Sequence, residues 1–518
     1  MKRRTFLALA VAFALAVPAW ADVKPHGLFT DNCVLQAGKE VPIWGTAAPG
    51  EKITITVKGQ QWLNAAVADK DGHWITRLPK MAASNEPVTL TIKGNNEVVV
   101  KNVLIGEVWI CSGQSNMEWP LRASYMAEEH IGASGDPLLR LLTVPHSVQM
   151  SPQYNIGGRW SECSPQTVGN FSAVAYFFGR DLRKALNVPV GLIHTSWGGT
   201  PAQAWTSKEA LGAEAALVHY PADLEKAIKN YDSDKAKEAY QEAVAKWKEA
   251  AAKAKTEGKP PPGKPQQSQP PDKSPHAPSG LYNGMIAPLV PYAIAGAIWY
   301  QGESNAGQAH EYRTLFPTMI KDWRKHFGQG DFPFLFVQLP PYKPNDPSDI
   351  TWAELRDAQL QTAKILPKTG MAVITDVGEE KDIHPKKKEP VGSRLALAAR
   401  AIAYGEQVEY AGPVLEKATF EDGKAILTFT HVGRGLATPG KEELTGFTSC
   451  GADRKFHNAK ATITGSDTIE VSCSEVTKPV AVRFGWANYP VVNLWNKDGL
   501  PASPFRTDDF LGITAPKK

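Results

Sequence analysis

The chain has 518 residues, 42% hydrophobic and 21% charged; that is room for about three folded domains and not the composition of a disordered chain. Its formal net charge of +4 falls to +1 without Lys2, Arg3 and Arg4, and with no basic cluster on an evident helix this balance argues against a nucleic-acid partner. Beyond the N-terminus no stretch reaches the roughly 20 apolar residues of a membrane span.

Lys2, Arg3 and Arg4 precede an apolar run over 6–17, and Ala19-Trp20-Ala21 has the small-x-small pattern of a signal-peptidase site. Residues 1–21 are therefore expected to be a signal peptide, with a periplasmic or secreted mature chain starting near Asp22. Arg3-Arg4-Thr5-Phe6-Leu7 also fits a twin-arginine signal, so the export route stays open. Five cysteines, Cys33, Cys111, Cys163, Cys450 and Cys473, leave at least one thiol without an intramolecular partner. Cys450 and Cys473 share a late β-rich region and are the expected pair. No companion His or Cys motif points to zinc.

Residues 22–102 read as short strands separated by turns, at 41–46, 52–57 and 88–92, the pattern of a small β-sandwich. The period then changes. Strand-like runs at 103–110, 189–194, 293–300, 332–339 and 371–377 are interleaved with helical patterns such as 171–186 and 355–365. This alternation predicts a mostly parallel sheet with helices on both faces, a three-layer α/β/α core over 103–404. An insertion at about 208–278 interrupts it: an Ala, Lys and Glu-rich helical stretch, then a Pro, Gly, Gln and Lys tract. Its role is either a lid or a surface decoration. After a helix at 392–403 the chain returns to strands, giving a C-terminal β domain over 405–518.

In such sheets ligands bind at the carboxyl ends of the strands, and three polar segments lie there: Gly113-Gln114-Ser115-Asn116-Met117, Gln301-Gly302-Glu303-Ser304-Asn305 and Asp382-Ile383-His384-Pro385. A serine hydroxyl is a poor nucleophile and needs a base, a group that orients the base, and donors for an oxyanion. Ser115 follows a strand through a Gly-containing turn; taken singly it fits a helix cap as well as a nucleophile. His384 titrates near neutrality, as a base that takes a proton from serine and returns it to a leaving alcohol must. Glu303 stands at the mouth of a buried strand, where it orients His384, aligns a sugar hydroxyl or caps a helix. Gln114, Asn116, Gln301 and Asn305 offer hydrogen bonds to an oxyanion or substrate, or stabilise local turns. Thr195-Ser196-Trp197-Gly198-Gly199-Thr200 is either an ordinary tight turn or a loop bringing the Gly199 N–H to the oxyanion. Trp119, Trp197 and Trp205 stack on sugars or pack in the core. No metal or organic cofactor is needed for this chemistry.

The block Gly106-Glu107-Val108-Trp109-Ile110-Cys111-Ser112-Gly113-Gln114-Ser115-Asn116-Met117 resembles the nucleophile segment of sialate O-acetylesterases, a branch of the SGNH-type hydrolases. Similar matches follow in order at 171–179, 196–200, 299–305, 382–385 and 499–508, so the resemblance spans nearly the whole mature chain. It implies an SGNH-like core and removal of O-acetyl groups from sugars, with Ser115 as nucleophile and His384 as general base and acid. Many SGNH-type hydrolases place Asp three residues before His; here Asp382 is two before it and Lys381 holds the third place. Related acetylxylan esterases use the acid of a Gln-Gly-Glu motif, which corresponds to Glu303. The resemblance thus implies Asp382 as the orienting acid, with Glu303 its rival. Sialic acid bearing O-acetyl groups is the expected substrate, acetylated xylan or another plant glycan the alternative, and a non-catalytic glycan-binding protein the alternative from another class.

Overall fold

A computed structural model describes residues 22–57, 60–344, 349–440 and 443–516, and the expected leader at 1–21 lies outside them. Its organising element is one strand, Glu97–Gly113, which runs through two sheets. The first part pairs with Ser84–Lys93 and Val34–Gln36 of the N-terminal β region. From Glu107 onward it pairs in parallel with Val190–Ser196 on one side and Gly296–Tyr300 on the other. Its burial changes accordingly, from alternating at the start to almost continuous over the last eleven residues, as expected for a strand that passes from a two-layer sandwich into a sheet covered on both faces. The boundary expected at 102/103 falls inside this strand.

The core sheet runs in the order Ser161–Cys163, Asp136–Thr143, Val190–Ser196, Glu97–Gly113, Gly296–Tyr300, Phe334–Val337, Thr369–Ala372. All neighbours are parallel except the short edge strand Ser161–Cys163. Val190–Ser196, Gly296–Tyr300 and Phe334–Val337 are buried at every position. Helices Ala173–Leu186, Ala309–Phe327, Thr351–Ile365 and Glu389–Ile402 supply the covering layers. Ser172 caps the first by accepting from the Ala175 N–H, and Asn187 ends it in the left-handed conformation. That helix meets Glu389–Ile402 so closely that a Cβ on Gly392 would lie 2.6 Å from Phe177 Cβ.

Three strand ends are laced together at the carboxyl edge. The Gln114 N–H donates to Tyr300 O at 2.9 Å and the Trp197 N–H to Gly113 O at 3.1 Å. Gly113 adopts a φ of 141°, and a Cβ there would sit 2.1 Å from Tyr300 O. Gly113→Ala should therefore force the two central strands apart just before Ser115. We expect a loss of about 2–4 kcal/mol together with loss of activity, read from the thermal midpoint and from acetate-ester turnover.

The insertion holds helices Lys208–Ala213, His219–Asn230 and Ser233–Thr256, the last two without a buried residue. It is fastened to the core where Tyr220 Oη donates to Glu311 Oε1 on helix Ala309–Phe327. At the C-terminus, two four-stranded antiparallel sheets carry the alternation read from sequence, as in Lys424–Thr430. Arg356, fully buried on Thr351–Ile365, joins this region to the core by donating to Leu339 O, Pro340 O, Ala487 O and Asn488 O. The expected Cys450–Cys473 disulfide is absent: both thiols are free, as are the other three. The two residues stand at the ends of strands in different sheets, Phe447–Cys450 and Thr468–Ser472, and the Cys473 thiol donates to Asn458 O at 3.4 Å. Among the described residues no helix is long and apolar enough to cross a membrane.

Candidate active site

Ser115 opens the short helix Ser115–Glu118, one position inside the N-cap Gln114, and its hydroxyl caps nothing. It instead meets His384 Nε2 at 2.9 Å. His384 comes from the loop beyond Thr369–Ala372, and its ring stacks on Trp119 with centroids 5.2 Å apart and planes 20° from parallel. Asp382 Oδ1 accepts the His384 backbone N–H at 2.9 Å and lies 3.8 Å from Nδ1. The latter is an ion-pair separation, too long for a hydrogen bond. Burial, and after it the charge of Lys388, holds the His384 imidazole below its ordinary 6.5, with Asp382 pulling the other way.

Behind this pair lies a buried polar link. Asn116, fully buried, donates from Nδ2 to Glu303 Oε1 at 2.6 Å and to Ile383 O at 3.0 Å, and its Oδ1 accepts from Lys388 Nζ at 2.5 Å. Glu303 Oε2 is shut off from solvent and makes no hydrogen bond of good geometry among the described residues. Burial pushes the Glu303 carboxyl up, against its own and the Gly302 N–H, Asn116 and Lys388. Among the described residues no hydrogen bond or ion pair joins Glu303 to His384. Lys388 sits between the Trp119 and Tyr300 rings, 5.7 and 5.6 Å from their centroids.

The Gly-rich loop closes the other side. A Cβ on Gly198 would come within 3.3 Å of Ser115 Cβ, so this backbone packs on Ser115. The Gly198 N–H donates to Glu118 Oε2 at 2.6 Å, and Glu118 Oε1 is 3.1 Å from His146 Nε2. His146 in turn stacks on Trp197 at 4.0 Å. The hydrogen bond to Glu118 raises the His146 pKa; burial pushes Glu118 up, but His146 and the Gly198 N–H outweigh it and hold the carboxyl low. Gly199 is exposed, with a φ of 74° and open space where a Cβ would stand.

The remaining amides face inward. Gln114 Oε1 accepts the Gly302 and Ser304 N–H groups. Gln301 donates to Thr200 O and to Asn305 Oδ1, and accepts from Tyr312 Oη. Asn305 accepts the Ala202 N–H and donates to Gln203 Oε1. These side chains hold the loops that carry Gly199 and Glu303. Trp205 is wholly buried, whereas Trp119 and Trp197 reach the surface in part. Sequence reading missed Glu118, His146 and Lys388. Glu118 was detectable three positions after Ser115, on the same side of a helical turn; Lys388, third in a run of three lysines, carries no such mark.

Residues 275–401 match the family model described as a carbohydrate esterase, sialic acid-specific acetylesterase. The chain is 30% identical over 508 residues to the sialate O-acetylesterase of Mus musculus, covering 89% of this chain and 90% of that protein. It is 29% identical over 516 residues to that of Homo sapiens, covering 89% and 88%. A crystal structure of a carbohydrate acetylesterase from Xanthomonas citri superposes with a TM-score of 0.80 at 37% identity, covering 94% of this chain and 100% of that one. With a relative 30% identical over about nine-tenths of both chains and the hydrolase fold shared, this chain belongs to the sialate O-acetylesterase family of carbohydrate esterases and is a carboxylic ester hydrolase.

Proposed function

We propose that the protein hydrolyses O-acetyl esters on sugars through a covalent acetyl-serine, and the 2.9 Å contact between Ser115 Oγ and His384 Nε2 carries that reading. Ser115 attacks the acetyl carbonyl while its proton passes to His384. Collapse of the tetrahedral intermediate breaks the ester bond, and His384 returns the proton to the departing sugar oxygen. Water, deprotonated by the same imidazole, then releases acetate. Asp382 orients His384. The N–H of Ser115, free of an intrahelical acceptor at the first helical position, and that of Gly199 serve the oxyanion, each such donor contributing about 2.7–4 kcal/mol in the transition state.

The named substrate of the mammalian relatives, an O-acetylated sialic acid, is the leading choice. A plant-type acetylated glycan is the second reading, left open because the 37% identical Xanthomonas citri protein is named for carbohydrate acetyl esters without mention of sialic acid. The exposed parts of Trp119 and Trp197 suit sugar rings of either kind. Acetate release from O-acetylated sialic acids and from acetylated xylan, beside acetate, butyrate and octanoate aryl esters, tests the proposal. We expect acetate to be the fastest acyl group and a glycan acetate to be consumed. Octanoate turning over faster, or no acetate from any glycan, would sink it. The N-terminal pattern supports export, to be checked by sequencing the secreted protein for a start at Asp22.

His384 must be neutral to accept the serine proton. Because its folded pKa lies below 6.5, activity is retained down to that lower pKa and is lost as pH falls through it. The acid limb of kcat/KM should therefore have its midpoint below 6.5. A midpoint above 6.5 in a pH–rate profile contradicts the assignment.

A further inference from the structure

Lys388 is 1% exposed, yet among the described residues it forms no direct ion pair with a carboxylate. A buried ammonium is costly unless its donors are satisfied, and here they meet Asn116 Oδ1 and two aromatic faces. We propose that Lys388 is a positioning residue for the Ser115–His384 pair, acting through the carboxamide of Asn116. The inference rests on the catalytic reading given above.

The argument is one of donors and acceptors. A lysine ammonium only donates, so it compels Asn116 to turn its oxygen toward Lys388. The Asn116 NH₂ must then face Glu303 and Ile383, which both accept. Asn116 directly follows the nucleophile and Ile383 directly precedes the base. One amide therefore bridges the neighbours of both reacting side chains, and Lys388 holds that amide in the only orientation that makes the bridge. Without Lys388 the carboxamide loses one of the three contacts that fix it and leaves its oxygen buried without that donor, which loosens the bridge to the loop that carries His384.

Several charged groups act on this site. Glu303, Asp382 and Glu379 favour the Lys388 ammonium, while burial draws it down to about 7. Asp382 and Lys388 act on His384 with opposite signs. Below neutral pH Lys388 is charged and disfavours the imidazolium; when it loses a proton it still donates to Asn116. Removing the side-chain nitrogen should thus leave two signatures, a slower chemical step and a His384 that protonates more readily.

The test uses Lys388→Met, Asn116→Leu and the double variant, each checked for native near-ultraviolet circular dichroism and assayed with p-nitrophenyl acetate beside Ser115→Ala. Lys388→Met should lower kcat about 10- to 100-fold, the range for a small misplacement of reacting groups, with KM within about threefold. The acid limb of its kcat/KM profile should move to higher pH. The double variant should be little worse than Asn116→Leu alone, because both substitutions cut one link. A wild-type kcat in Lys388→Met beside an inactive Ser115→Ala overturns this inference alone, as does a loss with an unmoved acid limb and additive effects. If Lys388→Met does not fold, Asn116→Leu decides: less than about a threefold fall in kcat overturns the link. Activity surviving in Ser115→Ala overturns the catalytic reading and this inference with it.

Discussion

Ser115→Ala should reduce kcat for acetate esters by about a millionfold where background hydrolysis permits the measurement, the usual scale for loss of a serine nucleophile. Stability should hardly change. The hydroxyl is not a cap, and its bond is to His384 Nε2, so the folded state loses one partly exposed hydrogen bond, worth about 1 kcal/mol or less. Activity and thermal midpoint should therefore separate cleanly in this variant. Residual turnover within tenfold of the wild type, in protein shown free of contaminating esterase, would place the nucleophile elsewhere. A parallel fall in thermal midpoint would instead make Ser115 a structural residue.

That the two residues meet across 269 positions was legible because each follows a strand of the core, and strands buried on both faces leave near-continuous apolar runs that sequence shows plainly. Val190–Ser196 and Gly296–Tyr300 are such runs. Of Glu97–Gly113 only 103–110 was legible as a strand, because its environment changes midway and the alternating first part carries no signal that it continues into the buried run. The amides of Asn116, Gln301 and Asn305 were visible as polar residues beside glycines, but whether a carboxamide faces substrate or its own scaffold depends on partners 100 or more residues away in sequence, such as Ile383 for Asn116 and Ala202 for Asn305. Lys388 was hidden for a related reason. Lys386 and Lys387 are exposed, as a run of charge leads one to expect, and only the start of helix Glu389–Ile402 turns the third lysine inward. The cysteine pairing failed on the same principle: nearness along the chain in a β-rich region does not say which sheet a strand joins.

The largest remaining effect concerns the acid that serves His384. Asp382→Asn should lower kcat by about 10²- to 10⁴-fold, up to the scale known for replacing a triad carboxylate by its amide, and Glu303→Gln by about tenfold or less. The geometry sets this order. Asp382 Oδ1 is 3.8 Å from His384 Nδ1 and accepts the histidine's own backbone N–H, so one oxygen both shapes the loop and faces the ring. Its side chain is 42% exposed, and water competing for Nδ1 keeps the expected loss below that of a buried triad acid. Glu303 instead engages Asn116 through Oε1, and its buried Oε2 makes no hydrogen bond among the described residues. A glutamine there retains an acceptor for the Asn116 NH₂ and gives up a charge that burial already disfavours. Steady-state kinetics on both variants, with thermal midpoints to exclude unfolding, resolves the matter. Near-normal turnover in Asp382→Asn together with collapse in Glu303→Gln would transfer the role to Glu303, and it would require the 383–388 loop to move during catalysis so that Nδ1 reaches a carboxylate it does not now touch.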